Sequence, residues 1–271
     1  PITLGQEFGA YLAFVDRDMH RLVDFKKTLL ETNLGGTAIG TGINSSVSFI
    51  RFANQKLAEL SGYSFKPAAD LIDVTQNLDS LLVLIYLLEV SALGLSKIAS
   101  DLRLMSSGPR AGFGEIRLPE YQKGSSIMPG KNNPVTLESV SQVAYEVSGN
   151  AQKMSHAYLG GQLELNVMFP VFITSLIDSF DLLTKSAALF SETVLKVTVD
   201  VKQCRELLEK SLSSSAALIS HIGYDKTAEM VKKAIVTNVS LETILLDSKL
   251  LTGKKLREIL SNGSLTKPGK V

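Results

Sequence analysis

Apolar residues at Phe8, Leu12, Val15, Met19 and Leu22 recur by four, three, four and three positions. That spacing keeps one stripe of a helix facing a neighbour, and it predicts a long helix over about residues 6–31. The same stripe returns at Leu137, Val140, Ala144, Val147, Ala151 and Met154, and again at Leu176, Phe180, Leu183, Ala187, Phe190, Val194 and Val197. Between them, residues 81–98 are apolar almost all round, interrupted by Glu89, Ser91 and Ser96. A membrane-spanning helix needs ~20 largely uninterrupted apolar residues, so this stretch reads as the buried helix of a bundle, continuing to Met105. Long helices with narrow stripes predict an all-α, elongated bundle that needs helices from other subunits to cover it.

The interruptions are as informative as the stripes. Gly35, Gly36, Gly40 and Gly42 break the helical pattern, Pro67 marks a turn, and a helical pattern resumes at Leu71. Between Ser106 and Pro134 stand Gly108, Pro109, Gly112, Gly114, Pro119, Gly124, Pro129 and Gly130, a density that excludes regular helix. After Val197 the helical segments shorten, with expected helices near residues 201–211, 225–236, 240–247 and 254–260. The expected organisation is a central helical-bundle domain over residues 1–197, incomplete at its N-terminal side, and a small helical domain over 198–271. No internal repeat and no alternation of strands and helices is present.

Composition narrows the function classes. Lys and Arg number 28 against 27 Asp and Glu, a net charge of +1, so nothing drives binding to nucleic acid or an anionic membrane. The single cysteine, Cys204, cannot close an intrachain disulfide and reads as a partly buried core residue in a reducing cytoplasm. His20, His156 and His221 are scattered and form no metal-ligand set. Gly40-Thr41-Gly42 lacks the third glycine and the strand context of a dinucleotide site, so backbone packing is expected there, with Thr37 and Asn44 as secondary candidates. Arg110 is expected to make a structural salt bridge. Pro1 reads as mid-protein sequence, which suggests a missing upstream segment.

Chemistry concentrates in Gly124-Ser125-Ser126-Ile127-Met128-Pro129-Gly130-Lys131-Asn132-Asn133-Pro134. Long irregular connections in compact domains are often lids or binding loops. Gly124 and Gly130 allow close backbone approach, Ser125 and Ser126 offer hydroxyls, and Lys131 and Asn133 can hold an anion, a set suited to a carboxylate. From composition alone a solvated surface connection accounts for the same residues.

The string GSSIMPGKNNP closely resembles the GSSxMPxKxNP loop of the aspartase/fumarase superfamily. PITLGQEFGAY, NLGGTAIGTGIN, DLRLMSSGPRAG, GQLELNVM and HIGYDK resemble further segments of the family in the same order. Residues 106–111, Gln122 and the tail LLTGKKLREILSNGSLTKPG are similar to the aspartase branch, whereas HIGYDK and GFGEI lean toward the class II fumarases. The resemblance implies a lyase that eliminates ammonia from L-aspartate to give fumarate, with fumarate hydration as the alternative. It implies Ser125 as general base, Glu138 as partner of an upstream histidine, and Ser126, Met128, Lys131 and Asn133 as substrate contacts. It also implies a homotetramer and a small dicarboxylate substrate, with no cofactor and no metal. In the family the active site gathers three separated segments, of which this chain carries the third. Alone it is therefore expected to be inactive unless a second polypeptide supplies the rest. Asn132, Leu137, Phe169 and Ser220 depart from the family's usual residues, which keeps open a noncatalytic structural or interaction protein of the same superfamily.

Overall fold

A computed structural model describes residues 1–268 other than Pro109, Lys123, Ser125 and Ser126, and the backbone alone of Asn262. Helices dominate. Helix α1 spans Leu4–Phe25 and tightens into a 3-10 segment, Lys26–Leu30, before the two-residue strand β1, Glu31–Thr32. Then come α2 (Val47–Ser61), strand β2 (Lys66–Pro67), the single turn α3 (Asp73–Gln76) and α4 (Asp79–Met105). Strand β3 (Ile116–Arg117) interrupts the long connection to α5 (Val135–Tyr158), which α6 (Phe169–Leu195) follows. Strand β4 (Thr198–Val199), α7 (Val201–Lys210), α8 (Ile219–Ile222), α9 (Tyr224–Thr237), α10 (Leu241–Asp247), α11 (Gly253–Ile259) and α12 (Asn262–Leu265) complete the chain. The strands form two isolated pairs, β1 with β2 in parallel and β3 with β4 antiparallel, so the fold is all-α as the stripes predict.

Helix α2 has no counterpart among the predicted elements. Its signals are local: the Ser46 hydroxyl accepts the Phe49 N–H at its start, and Gly62 ends it in the left-handed conformation, φ 72°. Its inward side carries Ile50, Ala53, Asn54 and Leu57, of which the one fully buried residue is the polar Asn54, while Phe49, Phe52 and Leu60 stay exposed, so the apolar residues fall on both sides of the helix.

The chain divides into two compact units. One comprises residues Ala13–Arg103 and Leu118–Lys196; the other comprises Pro1–Leu12, Leu104–Arg117 and Val197–Val271. In the first, Leu78, Ile85, Leu88 and Ala92 pack with Ala144, Val147, Ala151 and Met154 of α5 and with Phe172 and Leu176 of α6. The α5 residues step by three and four, as the seven-residue pattern requires. Gly94 of α4 lies under the Phe14 ring of α1: a Cβ there would sit 1.8 Å from the ring, so the missing side chain makes room for the aromatic contact. Helix α4 is long and apolar enough to cross a membrane by composition. Its Ile85, Leu88, Ala92 and Leu102 face the bundle core, while Val83, Tyr86, Val90 and Leu93 are exposed. The predicted buried helix is thus covered along one stripe within the chain, because α5 and α6 reach only that side.

In the second unit, Leu218, Met230, Ala234, Leu241, Ile244, Leu245, Leu256 and Ile259 form a separate core. Ser240 and Thr252 cap α10 and α11 with their hydroxyls. The β3–β4 pair ties the start of the long connection to the residues after α6, and Arg117 meets Asp200 at 3.2 Å. Asp200 also accepts the Gln203 N–H as the α7 cap, and that bond, followed by Arg117, holds its carboxyl below the usual carboxylate range.

The turn between α5 and α6 depends on one buried amide. Asn166 donates to the carbonyls of Ala157 and Tyr158, both at 3.3 Å, and accepts the Met168 N–H at 2.9 Å. It closes the end of α5 while starting the approach to α6. Asn166→Ala leaves the Met168 N–H unpartnered, while the Ala157 and Tyr158 carbonyls keep the Gly160 and Gly161 N–H groups at 3.1 and 3.3 Å, at a cost of ~1–3 kcal/mol. Denaturant unfolding is expected to show that loss, and a midpoint equal to wild type would mean that water replaces the amide fully.

Candidate functional site

The long connection folds back on itself at Gly124. A Cβ built there would lie 1.9 Å from the Lys131 carbonyl oxygen and 2.5 Å from its carbon, so only glycine allows the two backbone arms to touch. Asn133 donates through Nδ2 to the Gly124 carbonyl at 2.7 Å, and Asn132 donates to the Leu118 carbonyl at 3.4 Å. Two adjacent asparagines therefore lace the outgoing arm to the incoming one. Asn132 is one of the four positions singled out in the sequence as departing from the usual residues of the resembled family.

The tip is a turn. Lys131 N–H donates to the Met128 carbonyl at 3.3 Å, and Gly130 takes φ 77°, a left-handed value that suits a residue without a Cβ. Ile127 is 86% exposed, Met128 is exposed and Lys131 is exposed, so the turn presents its side chains outward. Val135 N–H donates to the Asn133 carbonyl at 2.8 Å, and α5 starts directly behind. Glu138 occupies its first turn, where a carboxylate complements the helix dipole, and its Oε1 lies 3.9 Å from Nη2 of Arg103 at the end of α4.

Of the residues singled out in the sequence, Lys131 and Asn133 are brought against Gly124, Met128 forms the turn, and Glu138 stands at the helix start. Ser125 and Ser126 lie outside the described residues. Three groups near the loop carry no sequence signal. Arg103 is one. The others are Tyr121 on the incoming arm and Thr193 on α6, whose hydroxyls are 3.3 Å apart although 72 residues separate them. Lys196 lies over the Tyr121 ring, 5.3 Å from its centroid. Glu192 first, and the Tyr121 phenol after it, hold the Lys196 ammonium above its ordinary range.

The secondary candidates sit elsewhere in the fold. Thr37 and Asn44 take left-handed φ values of 60° and 64° in the glycine-rich turn. There a Cβ on Gly40 would come within 2.4 Å of the Ile72 Cα, a backbone-on-backbone contact. His20 contacts the Asp16 carbonyl on its own helix at 2.7 Å. Among the described residues, Arg110 makes no ion pair and no group of three or more His, Cys, Asp or Glu is placed to hold a metal. Cys204 is half-buried with its thiol 3.7 Å from the Glu115 carbonyl, and burial pushes its pKa up.

Residues 1–149 match the lyase family model, and residues 216–267 match that of the fumarase C C-terminus. The chain is 42% identical over 270 residues to an aspartate ammonia-lyase from Bacillus sp., covering 99% of this chain and 58% of that protein. It is 39% identical to the aspartate ammonia-lyase of Escherichia coli K12, covering 99% and 56%. A crystal structure of a fumarate lyase/delta crystallin from Brucella melitensis bound to cobalt superposes with a TM-score of 0.94 at 39% identity, covering 99% of this chain and 58% of that one. A class II fumarase from Schistosoma mansoni gives 0.91 at 32% identity, covering 96% and 58%. The chain thus spans somewhat more than half the length of these relatives.

Proposed function

Since the chain belongs to the aspartase/fumarase superfamily, we propose that the protein eliminates ammonia from L-aspartate reversibly to give fumarate. The observation that carries the reading is the laced loop, in which Lys131 and Asn133 are pressed against Gly124 one residue before Ser125.

Ser125 takes a proton from the substrate carbon next to the distal carboxylate. The electron pair left behind delocalises into that carboxylate, which becomes a dianion. A serine hydroxyl is a poor base in water, so the alkoxide needs a dry site lined with donors. Lys131 supplies positive charge to the carboxylate, and Asn133, Ser126 and Met128 fix the loop around the ligand. The electron pair then forms the carbon–carbon double bond as the carbon–nitrogen bond breaks, and nitrogen leaves as ammonia. Glu138, paired with Arg103, orients a histidine supplied by another segment. No organic cofactor is needed, because the substrate's own carboxylate is the electron sink.

The exposed apolar side chains of α4, and Ile173, Ile177, Phe180 and Leu189 of α6, support assembly into a homotetramer that buries them. The remaining site segments come from neighbouring subunits or from a companion chain. A cytoplasmic enzyme acting on a small dicarboxylate fits the near-neutral charge.

The test is direct. The protein, and the protein mixed with the N-terminal region of a related aspartase, is incubated with L-aspartate or L-malate while fumarate is followed by its ultraviolet absorbance. Fumarate from aspartate is expected. Fumarate from malate alone assigns a hydratase, and fumarate from neither substrate under both conditions assigns a noncatalytic protein.

A further inference from the structure

We propose that Tyr121 is a positioning residue that fastens the incoming arm of the loop to the last turn of α6. Its hydroxyl lies 3.3 Å from Thr193 Oγ1. Thr193 is 2% exposed, and its own hydroxyl donates to the Leu189 carbonyl at 2.9 Å. That proton is committed, so the Tyr121 O–H donates and the Thr193 oxygen accepts. On the other side the Lys196 ammonium, held by Glu192, sits over the ring at a cation–π distance of 5.3 Å. Tyr121 itself is 41% exposed, so burial is not what keeps it there.

The consequence follows from the connectivity. Tyr121 stands four residues before Ser125, and an extended chain advances ~3.3–3.6 Å per residue, so the tether limits how far that part of the arm can travel. The Asn132–Leu118 and Asn133–Gly124 bonds carry the restraint across to the outgoing arm, which is continuous with α5. The arms are thereby held to α5 and α6 together, while residues 127–131 stay exposed. A tyrosine at this point is what the contact requires: phenylalanine keeps the ring beneath the Lys196 ammonium but loses the donor to Thr193 and the phenol oxygen that helps hold that ammonium.

Hydrogen–deuterium exchange on the intact protein tests the tether without reference to activity. One hydrogen bond corresponds to ~2- to 12-fold in an opening equilibrium, so Tyr121→Phe is expected to speed exchange in peptides covering residues 120–133 by that factor. Exchange elsewhere in α5 and α6 stays at the wild-type rate. Thr193→Val, which removes the acceptor and keeps the shape, accelerates the same peptides, and the double variant goes no further than Tyr121→Phe. Unchanged loop exchange in Tyr121→Phe, or additive effects in the double variant, overturns the proposal.

The kinetic arm rests on the aspartate-elimination reading. In protein that forms fumarate, Tyr121→Phe lowers kcat by about two- to tenfold, with KM within about twofold, because the loop reaches its reactive geometry less often. Faster loop exchange with unchanged kcat overturns the positioning role. Wild-type protein that makes no fumarate from aspartate either by itself or with the added N-terminal region refutes only the reaction assignment, and the exchange data still decide the tether.

Discussion

Replacing Ser125 with alanine is expected to lower turnover of L-aspartate by roughly 10²- to 10⁴-fold, the range over which a positioned general base contributes. The carbon-bound proton of a carboxylate-bearing substrate is too weak an acid for water to remove at a useful rate. Ser125 follows Gly124 directly in the sequence, so the base is a hydroxyl flanked by a backbone that carries no side chain. Because the interaction with the departing proton exists only in the transition state, kcat and kcat/KM should fall together and KM should stay near wild type. Ser126→Ala is the matched control: it removes an equal volume and a neighbouring hydroxyl, and it should act mainly on KM. Steady-state fumarate formation measures both. If Ser125→Ala raised KM and left kcat alone, the hydroxyl would be a binding contact, and the base would have to be sought elsewhere.

The parts of the fold that were legible in the sequence are those built on periodic burial. Ala144, Val147, Ala151 and Met154 form the core stripe of α5 because a helix packed on one side has to repeat its apolar residues every three or four positions. The loop was legible for the opposite reason, since its glycines and prolines forbid a helix, and the helix does end at Met105 and resume at Val135. Helix α2 was not legible, because Phe49, Phe52 and Leu60 face outward while Ile50 and Leu57 face inward around the polar Asn54, which blurs the apolar stripe and leaves its caps as the clearer mark.

Helix length drops after α6, from 27 residues to 10 in α7. The compact unit that holds Val197–Val271 also takes in Pro1–Leu12 and Leu104–Arg117, and the two-residue pairing of β3 with β4 there is too short to produce a sequence pattern. Within the candidate site, Lys131, Asn133 and Glu138 stood out because their chemistry is local to the loop. Tyr121, Thr193 and Arg103 did not, since their contacts join residues far apart in the chain, and a lone tyrosine or arginine gives no sign of its partner.

Gly124→Ala should be the most damaging substitution that adds a single methyl group. The new Cβ would stand 1.9 Å from one backbone oxygen and 2.5 Å from the carbon behind it, and neither can rotate away as a side chain could. The arms must part by more than an ångström, which breaks the Asn133–Gly124 bond and carries Lys131 with it. A misplacement of about 1 Å near reacting groups costs on the order of 10²-fold in rate. Global stability should change little, by less than ~2 kcal/mol, because the cores around Met154 and Phe172 and around Leu245 and Leu256 contain no loop residue. Since both groups assigned to the carboxylate move, KM should rise as kcat falls. That pattern separates this variant from Ser125→Ala, in which the binding groups stay in place. A Gly124→Ala protein with wild-type kinetics would mean that the two arms are apart when the reaction occurs, and the laced loop would then be a resting state of the site rather than its working form.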